Sequence, residues 1–387
     1  MSILGFGAMR LPVKGLYADE IDEEKAASMI FEAVEAGVNV IDTAFPYHES
    51  DNPDSGFPGG RDPEGGESER FLGRLFSGKY GGPENLRDRI LLSTKLPVFR
   101  LTSAEDCSRF LDIQLKKLQT DHIDFYLVHS LDKDSWEKVL RFGVLDFLTE
   151  ARRSGKIRHI GFSFHDEYPL FHEILNAYDW EFCLLQYNYM DTDRQAGIKG
   201  LHEAAEKGLG IMVMEPLKGG RLAKEQPYSV QRIMSESGKN RSPAEWALRF
   251  VYAEPAVSIV LSGMSEPEQV TENLRIAASV DEVIFTEEDR ETVRRIREYY
   301  ESCSIIGCTG CNYCAPCPSG VAISLNMMFL EDVALYGPTP GVFGDFGWMV
   351  PEDVRASKCI GCGLCLDRCP QAIDIPEMMK KAAETFE

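Results

Sequence analysis

Eight short apolar runs recur along residues 1–285, and stretches with helical periodicity separate them. The candidate strands are Ile3–Phe6, Val38–Asp42, Ile90–Lys95, Ile123–His129, Ile157–Ser163, Cys183–Gln186, Ile211–Met214 and Val257–Ser262. They are apolar almost throughout, as strands covered on both faces must be. Helix signals fill the gaps. Glu23–Ala36 stops at Gly37, and Ser103–Gln119 opens with a serine N-cap and acidic residues in its first turn. Further helices close at Gly155 and Gly208. Strict alternation of eight strands with helices predicts an α/β fold, a (β/α)8 TIM barrel of the usual size, about 250 residues. An open doubly wound sheet is the rival. It is disfavoured because Gly5-Phe6-Gly7-Ala8 lacks the third glycine of a dinucleotide-binding turn, and no helix starts there.

Beyond the barrel, residues 286–302 read as a charged helical linker and residues 303–387 as a small second domain. That domain holds two cysteine runs: Cys308, Cys311, Cys314 and Cys317 before Pro318, then Cys359, Cys362, Cys365 and Cys369 before Pro370. The second run has the C-x2-C-x2-C-x3-C-P spacing of a bacterial-type ferredoxin. Three thiolates within seven residues can wrap three irons of one cubane, and a fourth ahead of a proline suits the neighbouring cube. The implied ligand sets are therefore crossed. Cys308, Cys311, Cys314 and Cys369 serve one [4Fe–4S] cluster; Cys359, Cys362, Cys365 and Cys317 serve the other. The first run departs from the pattern, with two residues rather than three before Cys317. Zinc and disulfides are the competing uses. Structural zinc takes two well-separated ligand pairs, and reducing compartments disfavour disulfides. Cys107 and Cys183 read as buried core thiols, and Cys303 as a spare ligand.

Net charge is −21, which argues against nucleic acid and anionic membrane surfaces as partners. No apolar run is long enough to span a bilayer, and the N-terminal MSILGFGAMRLP has no signal-like pattern, so a cytoplasmic protein is expected. Between Tyr47 and Glu67 lies an insert dense in Gly, Pro and Asp. It reads either as a surface insert or as a lid over the barrel's C-terminal face.

Four residues sit at or just after the C-terminal ends of strands two to four: Asp42, Tyr47, Lys95 and His129. A barrel keeps its chemistry at that face. A tyrosine is too weak an acid for neutral pH unless a neighbouring ammonium stabilises its phenolate. Lys95 supplies the ammonium, Asp42 holds it, and His129 can hydrogen-bond a carbonyl oxygen. Such a group donates a proton to a carbonyl while hydride arrives at carbon.

The order of these segments, IDTA with a tyrosine shortly after, then STK, then LVH, closely resembles the aldo/keto reductase family over roughly residues 3–280. With the cysteine-rich tail the chain resembles the family's ferredoxin-type branch, which carries a dicluster C-terminal domain. The resemblance implies Tyr47 as acid/base with Asp42, Lys95 and His129, and an extended nicotinamide bound without a Rossmann domain. It implies Ser163 and Gln186 at the carboxamide, with Phe164 where the family usually has Asn. Met214 takes the place of a stacking aromatic, and Glu215, Pro216, Leu217, Lys218 and Gly219 run over the pyrophosphate. Ser262, Gly263, Met264, Gln269 and Asn273 match the adenosine segment, with Gln269 and Asn273 sharing a helix face toward the adenine. Gly263 and Gln269 stand where relatives often place cations for a 2′-phosphate. NADP or NAD is thus the implied cofactor, with NADH competing more evenly than usual unless Arg221 or Lys224 reaches that phosphate. A flavin is a further candidate.

Three functions fit these residues. The first is a carbonyl oxidoreductase using NAD(P)H. The second is an electron-transfer protein in which the barrel is a docking or cofactor module. The third is a reductase with structural clusters. A small carbonyl compound is the expected substrate and a redox protein a further partner.

Overall fold

Strands β1 (Leu4–Gly7), β2 (Val40–Asp42), β3 (Leu91–Leu96), β4 (Ile123–Leu131), β5 (Ile157–Phe164), β6 (Phe182–Gln186), β7 (Gly210–Met214) and β8 (Ile259–Ser262) close into a barrel in that order. Every neighbouring pair is parallel, and β8 returns beside β1. The computed structural model describes residues 1–15, 17–50, 62–303, 306–338 and 340–387. Most of the insert expected as a lid or surface loop, residues 51–61, lies outside the described residues.

Each of the eight expected strands is present, with ends shifted by at most two residues. Continuous apolar runs work here because helices cover the outside while side chains fill the inside. Phe125, Leu127, Phe182, Leu184, Met212, Ile259 and Leu261 form that inner core. The rings of Phe125 and Phe182 meet edge to face at 5.1 Å. Outside, the helix Glu23–Glu35 buries Ala26, Met29, Ile30 and Ala33, a spacing of three and four that faces one stripe inward. Its N-cap is Asp22, which accepts from the Lys25 amide. The expected cap at Ser103 is not formed, and that helix runs Glu105–Leu118. Asp106 does the work instead. Its carboxylate accepts from the amides of Thr102 and Ser103 and from the Thr102 hydroxyl, which ties the incoming loop to the first turn.

The chain falls into two compact units, Met1–Pro216 with Val251–Ile284, and Leu217–Phe250 with Phe285–Glu387. The packing thus departs from the linear boundaries expected at 285 and 302. Leu217–Phe250 joins the cysteine-rich part because the helix Tyr228–Glu236 packs on the helix Glu287–Ser302. Lys239 and Arg241 also converge on Asp289, at 2.5 and 3.1 Å. Asp289 in turn completes a capping box with Thr286.

Within the second unit, Val321, Ile323, Met327, Ala356, Ile375, Met379 and Ala382 form a small core against which six of the eight clustered cysteines pack. The aromatic segment before Val350 builds a core of its own: Phe329, Phe346 and Val350 are buried together, and Phe346 stacks on Phe386 of the last helix at 4.2 Å.

One close approach fixes how the first unit's helices sit. In the helix Glu67–Phe76, a Cβ added at Gly73 would lie 2.0 Å from the carbonyl oxygen of Lys117 on the helix Glu105–Leu118. We therefore expect Gly73→Ala to lower the urea midpoint followed by far-UV circular dichroism, at a cost of about 1–3 kcal/mol. An unchanged midpoint would contradict this contact.

Candidate active site and thiol quartets

β2, β3 and β4 are neighbours, so their C-terminal ends bring Asp42, Lys95 and His129 to one place. In the register, Asp42 stands opposite Ser93, and Lys95, two residues on, shares that residue's face. The Ser93 hydroxyl donates to Asp42 Oδ1 at 2.7 Å. Lys95 Nζ donates to Asp42 Oδ2 and to the Thr43 carbonyl, both at 2.7 Å, and to the Tyr47 hydroxyl at 3.3 Å. His129 meets the Tyr47 ring edge to face, centroids 6.2 Å apart. Lys95 is 1% exposed, Asp42 4%, His129 2% and Tyr47 9%. The four expected residues are thus gathered.

Burial pulls the Lys95 ammonium below its ordinary pKa, while the carboxylates of Asp42 and Glu69 oppose that pull. Burial, then the charge of Lys95 and the neighbouring His165, push His129 well below the usual imidazole range. Burial takes His165 down to about 4. Both rings are thereby held toward the neutral form, and Lys95 is paired with Asp42.

A second tier, absent from the sequence reading, lies behind β3. Glu69 pairs with Lys117 at 2.7 Å and accepts from Thr94 at 2.6 Å and Gln114 at 2.8 Å. Gln114 also donates to the Lys95 carbonyl and accepts from Tyr126. The one signal available was Glu69 and Gly73 at i and i+4. Their partners stand roughly 40 residues on, where no local pattern reaches.

The cofactor candidates divide. Ser163 and Gln186 end β5 and β6, both buried. The Ser163 hydroxyl accepts from the Ser130 amide at 2.7 Å, and Gln186 donates to Asp191 at 3.0 Å. Phe164 is fully buried against Phe171. Met214 is partly buried against the barrel's inner core. Pro216 closes this unit's run, and Glu215 before it has a positive φ of 56°. In the adenosine segment Gln269 and Asn273 lie one turn apart on the helix Pro267–Ala278 but differ in burial and partners. Gln269 accepts from the Ser265 amide and is exposed, whereas Asn273 is buried and donates to the Ser262 hydroxyl. The helix Pro267–Ala278 has no side-chain cap at Glu266, and these amides shape its approach loop instead. The Met264 side chain belongs to the outer hydrophobic core.

One basic side chain from outside the segment lies beside Gly263. A Cβ added at Gly263 would stand 3.3 Å from the stem of Arg10, whose guanidinium is 3.8 Å from Glu215. The segment Ser262–Ser265 has no Lys or Arg of its own; the aliphatic stem of Arg10, which follows β1, lies against it and carries its guanidinium to Glu215. In the other unit, Leu217, Lys218 and Gly219 open a turn in which Lys218, Gly219 and Gly220 all have positive φ. Arg221 in that unit is committed elsewhere: Nε donates to the Cys308 carbonyl at 2.8 Å and Nη2 pairs with Glu331 at 2.5 Å.

The thiols form two quartets. Cys308, Cys311, Cys314 and Cys369 line one small cavity. Cys317, Cys359, Cys362 and Cys365 line another, whose wall Cys314 shares. These are the crossed sets drawn from the spacing. Burial raises the Cys308 thiol, and burial followed by its neighbours Cys311, Cys308 and Cys369 pushes Cys314 up to about 12. Thiolates crowded this way require cationic charge among them, which an iron–sulfur core provides. Among the described residues no three His, Cys, Asp or Glu side chains are gathered closely enough for a single ion. Cys107 and Cys183 are fully buried, and Cys303 lines neither cavity.

The model of the aldo/keto reductase family matches residues 3–298. The chain belongs to the aldo/keto reductase family. Residues 307–373 of this aldo/keto reductase match the 4Fe-4S dicluster domain, a stretch that contains all eight clustered cysteines. It is similar to the uncharacterized oxidoreductase YrpG of Bacillus subtilis (strain 168), 27% identical over 304 residues, covering 69% of this chain and 86% of that one. It is also similar to L-galactose dehydrogenase of Arabidopsis thaliana, 25% identical over 320 residues, covering 78% and 91%. Among solved structures, the holo form of aldo-keto reductase AKR11C1 from Bacillus halodurans shares the fold, with a TM-score of 0.57 at 24% identity, covering 76% of this chain and 91% of that one. The protein is an aldo/keto reductase-family oxidoreductase with an iron–sulfur dicluster domain. No helix among its described residues is long and apolar enough to cross a membrane.

The buried pair makes a pH-dependent prediction. Asp42→Asn removes the charge that holds the Lys95 ammonium up, so the folded pKa of Lys95 falls further below its unfolded value. The unfolded chain then binds more protons across that gap, and stability rises with pH through it. We expect Asp42→Asn to cost about 3–5 kcal/mol near neutral pH, with the deficit shrinking as pH rises toward 10. Chemical denaturation at a series of pH values measures it, and a pH-independent deficit would count against a charged Lys95.

Proposed function

We propose that this aldo/keto reductase reduces a small carbonyl compound with a nicotinamide cofactor and carries two [4Fe–4S] clusters. The observation that carries the reading is the Lys95 ammonium, held at 2.7 Å by Asp42 and 3.3 Å from the Tyr47 hydroxyl, in a site closed to bulk water. A bound NADP or NAD would supply hydride to the carbonyl carbon. Tyr47 gives its phenolic proton to the carbonyl oxygen, and the phenolate left behind faces Lys95. Asp42 and the Thr43 carbonyl fix the ammonium, and Ser93 fixes Asp42. His129, neutral, donates a hydrogen bond to the same oxygen and so sets the approach of the substrate. In the reverse direction the Tyr47 phenolate takes the proton from an alcohol; one relative bears the name L-galactose dehydrogenase.

Ser163 and Gln186 would hold the carboxamide, Glu215, Pro216, Leu217, Lys218 and Gly219 the pyrophosphate, and Ser262 with Gly263 the adenosine. Met264, Gln269 and Asn273 shape that last loop. Arg10 supports a cofactor phosphate beside Gly263, which restores room for NADPH. Cys308, Cys311, Cys314 and Cys369 would hold one cluster, and Cys317, Cys359, Cys362 and Cys365 the other. Each cluster would supply single-electron steps. A redox protein, or a flavin, is the further partner this implies.

Tyr47→Phe is expected to lower NAD(P)H-linked carbonyl turnover 10²–10⁴-fold, the usual worth of a positioned acid, with nicotinamide affinity nearly unchanged. Retained turnover would remove Tyr47 as the acid. Viologen-linked turnover in the absence of carbonyl turnover would point instead to an electron-transfer protein with a docking barrel. The same anaerobic preparation is expected to contain about eight irons, four per cubane. Cys365→Ser is expected to contain about half that. Stoichiometric zinc without iron or sulfide would end the cluster assignment, and full carbonyl turnover after cluster loss would leave the clusters a structural role.

A further inference from the structure

In the second unit, the turn assigned to the pyrophosphate is knotted to the loop that carries the first thiol quartet. Three contacts make the knot. A Cβ added at Gly219 would lie 2.1 Å from the Thr309 carbonyl oxygen, so the two backbones touch where glycine leaves room. Arg221 Nε donates to the Cys308 carbonyl at 2.8 Å. Arg221 Nη2 also pairs at 2.5 Å with Glu331, which is 1% exposed. Glu331 stands on the helix Ile323–Tyr336, which packs behind the cysteine loop. Arg221 thus joins the turn, the cysteine loop and the helix behind both. Among the described residues no comparable contact links the turn to the second quartet: Cys362 is exposed, as are Ile360 and Leu364 around it.

We propose that Arg221 is a positioning residue that makes the cofactor turn and the first cluster loop one mechanical element. Binding at the turn and the state of the cluster on Cys308, Cys311, Cys314 and Cys369 are then coupled, and the second cluster stands outside the coupling. A cluster that fixes Cys308 and Thr309 fixes Gly219 and Arg221 with them, so the turn meets its phosphate already ordered. Linkage makes the effect reciprocal: a filled turn must perturb that cluster by the same free energy. The inference rests on reading Leu217, Lys218 and Gly219 as the pyrophosphate turn.

The experiment uses the full anaerobic protein with both clusters. NADPH and NADH are titrated for Kd, and the dithionite-reduced clusters are followed by EPR with and without NADP+. The variants are Arg221→Met and the double variant Arg221→Met/Glu331→Leu, which removes both buried charges so that no lone carboxylate threatens folding. Iron content verifies that both clusters are kept. In the wild type, NADP+ is expected to alter the EPR signal or midpoint of one cluster and leave the other. Both variants should lose that response and bind nicotinamide at least about fivefold more weakly. Equal Kd values in wild type and double variant, or an undiminished EPR response in the variants, would overturn the coupling. Wild-type protein that binds neither nicotinamide would overturn the pyrophosphate reading first, a different result from normal binding without coupling.

Discussion

A lysine ammonium with almost no exposure is the constraint around which the barrel's C-terminal face is arranged. Removing such a charge from water costs several kcal/mol, and only close, well-directed partners offset it. Asp42 and the Thr43 carbonyl occupy Lys95 on one side, and the Tyr47 hydroxyl is what remains. The site therefore presents a cation to a phenol and to little else. The tier behind it repeats the arrangement. Glu69, itself fully buried, is met by Lys117, Thr94 and Gln114, and its charge helps to keep Lys95 protonated. The close approach at Gly73 matters for this reason: it brings the helix of Glu69 near enough to Lys117 for two buried charges to cancel.

The second unit meets a like problem with the opposite sign. Eight thiols face two small cavities beside a cluster of seven buried apolar residues. So small a core contributes modest stability, and metal binding is folding energy for such domains. Crossed ligand sets extend this logic. Cys369 belongs to the second run but lines the first cavity, and Cys317 does the reverse. Each cavity therefore draws its thiols from both runs, and a cluster held there would tie the two runs together.

Much of this was legible because the signals were local. Continuous apolar runs marked the eight strands, and residues at strand ends marked the tetrad, since a barrel collects those ends on one face. Cysteine spacing marked the quartets, since three thiols within seven residues can reach only one cube. What escaped depends on partners distant in sequence. Arg10 matters because of Gly263, and Glu69 because of Lys117. Ser103 looked like a cap, yet Asp106 outcompetes it because a carboxylate accepts two amides and a hydroxyl together. Gln269 and Asn273 have helical spacing for one face, but spacing does not show that a loop amide and a serine hydroxyl claim them first.

The division of the chain bears on how a two-electron site and one-electron centres can share a molecule. A nicotinamide moves a hydride, whereas each cubane moves a single electron, so direct exchange needs either an intermediate carrier or two clusters drained in turn. The second possibility demands that the clusters be inequivalent, one answering to the cofactor and one to the outside. The fold supplies that asymmetry in its second unit. One quartet shares a buried ion pair and a backbone contact with the turn that opens at Leu217, while the other keeps Cys362 at the surface among exposed Ile360, Leu364 and Leu366. On the coupling proposed above, the turn that opens at Leu217 is the segment through which a bound nicotinamide would be felt by the cluster on the first quartet, because both belong to the same compact unit.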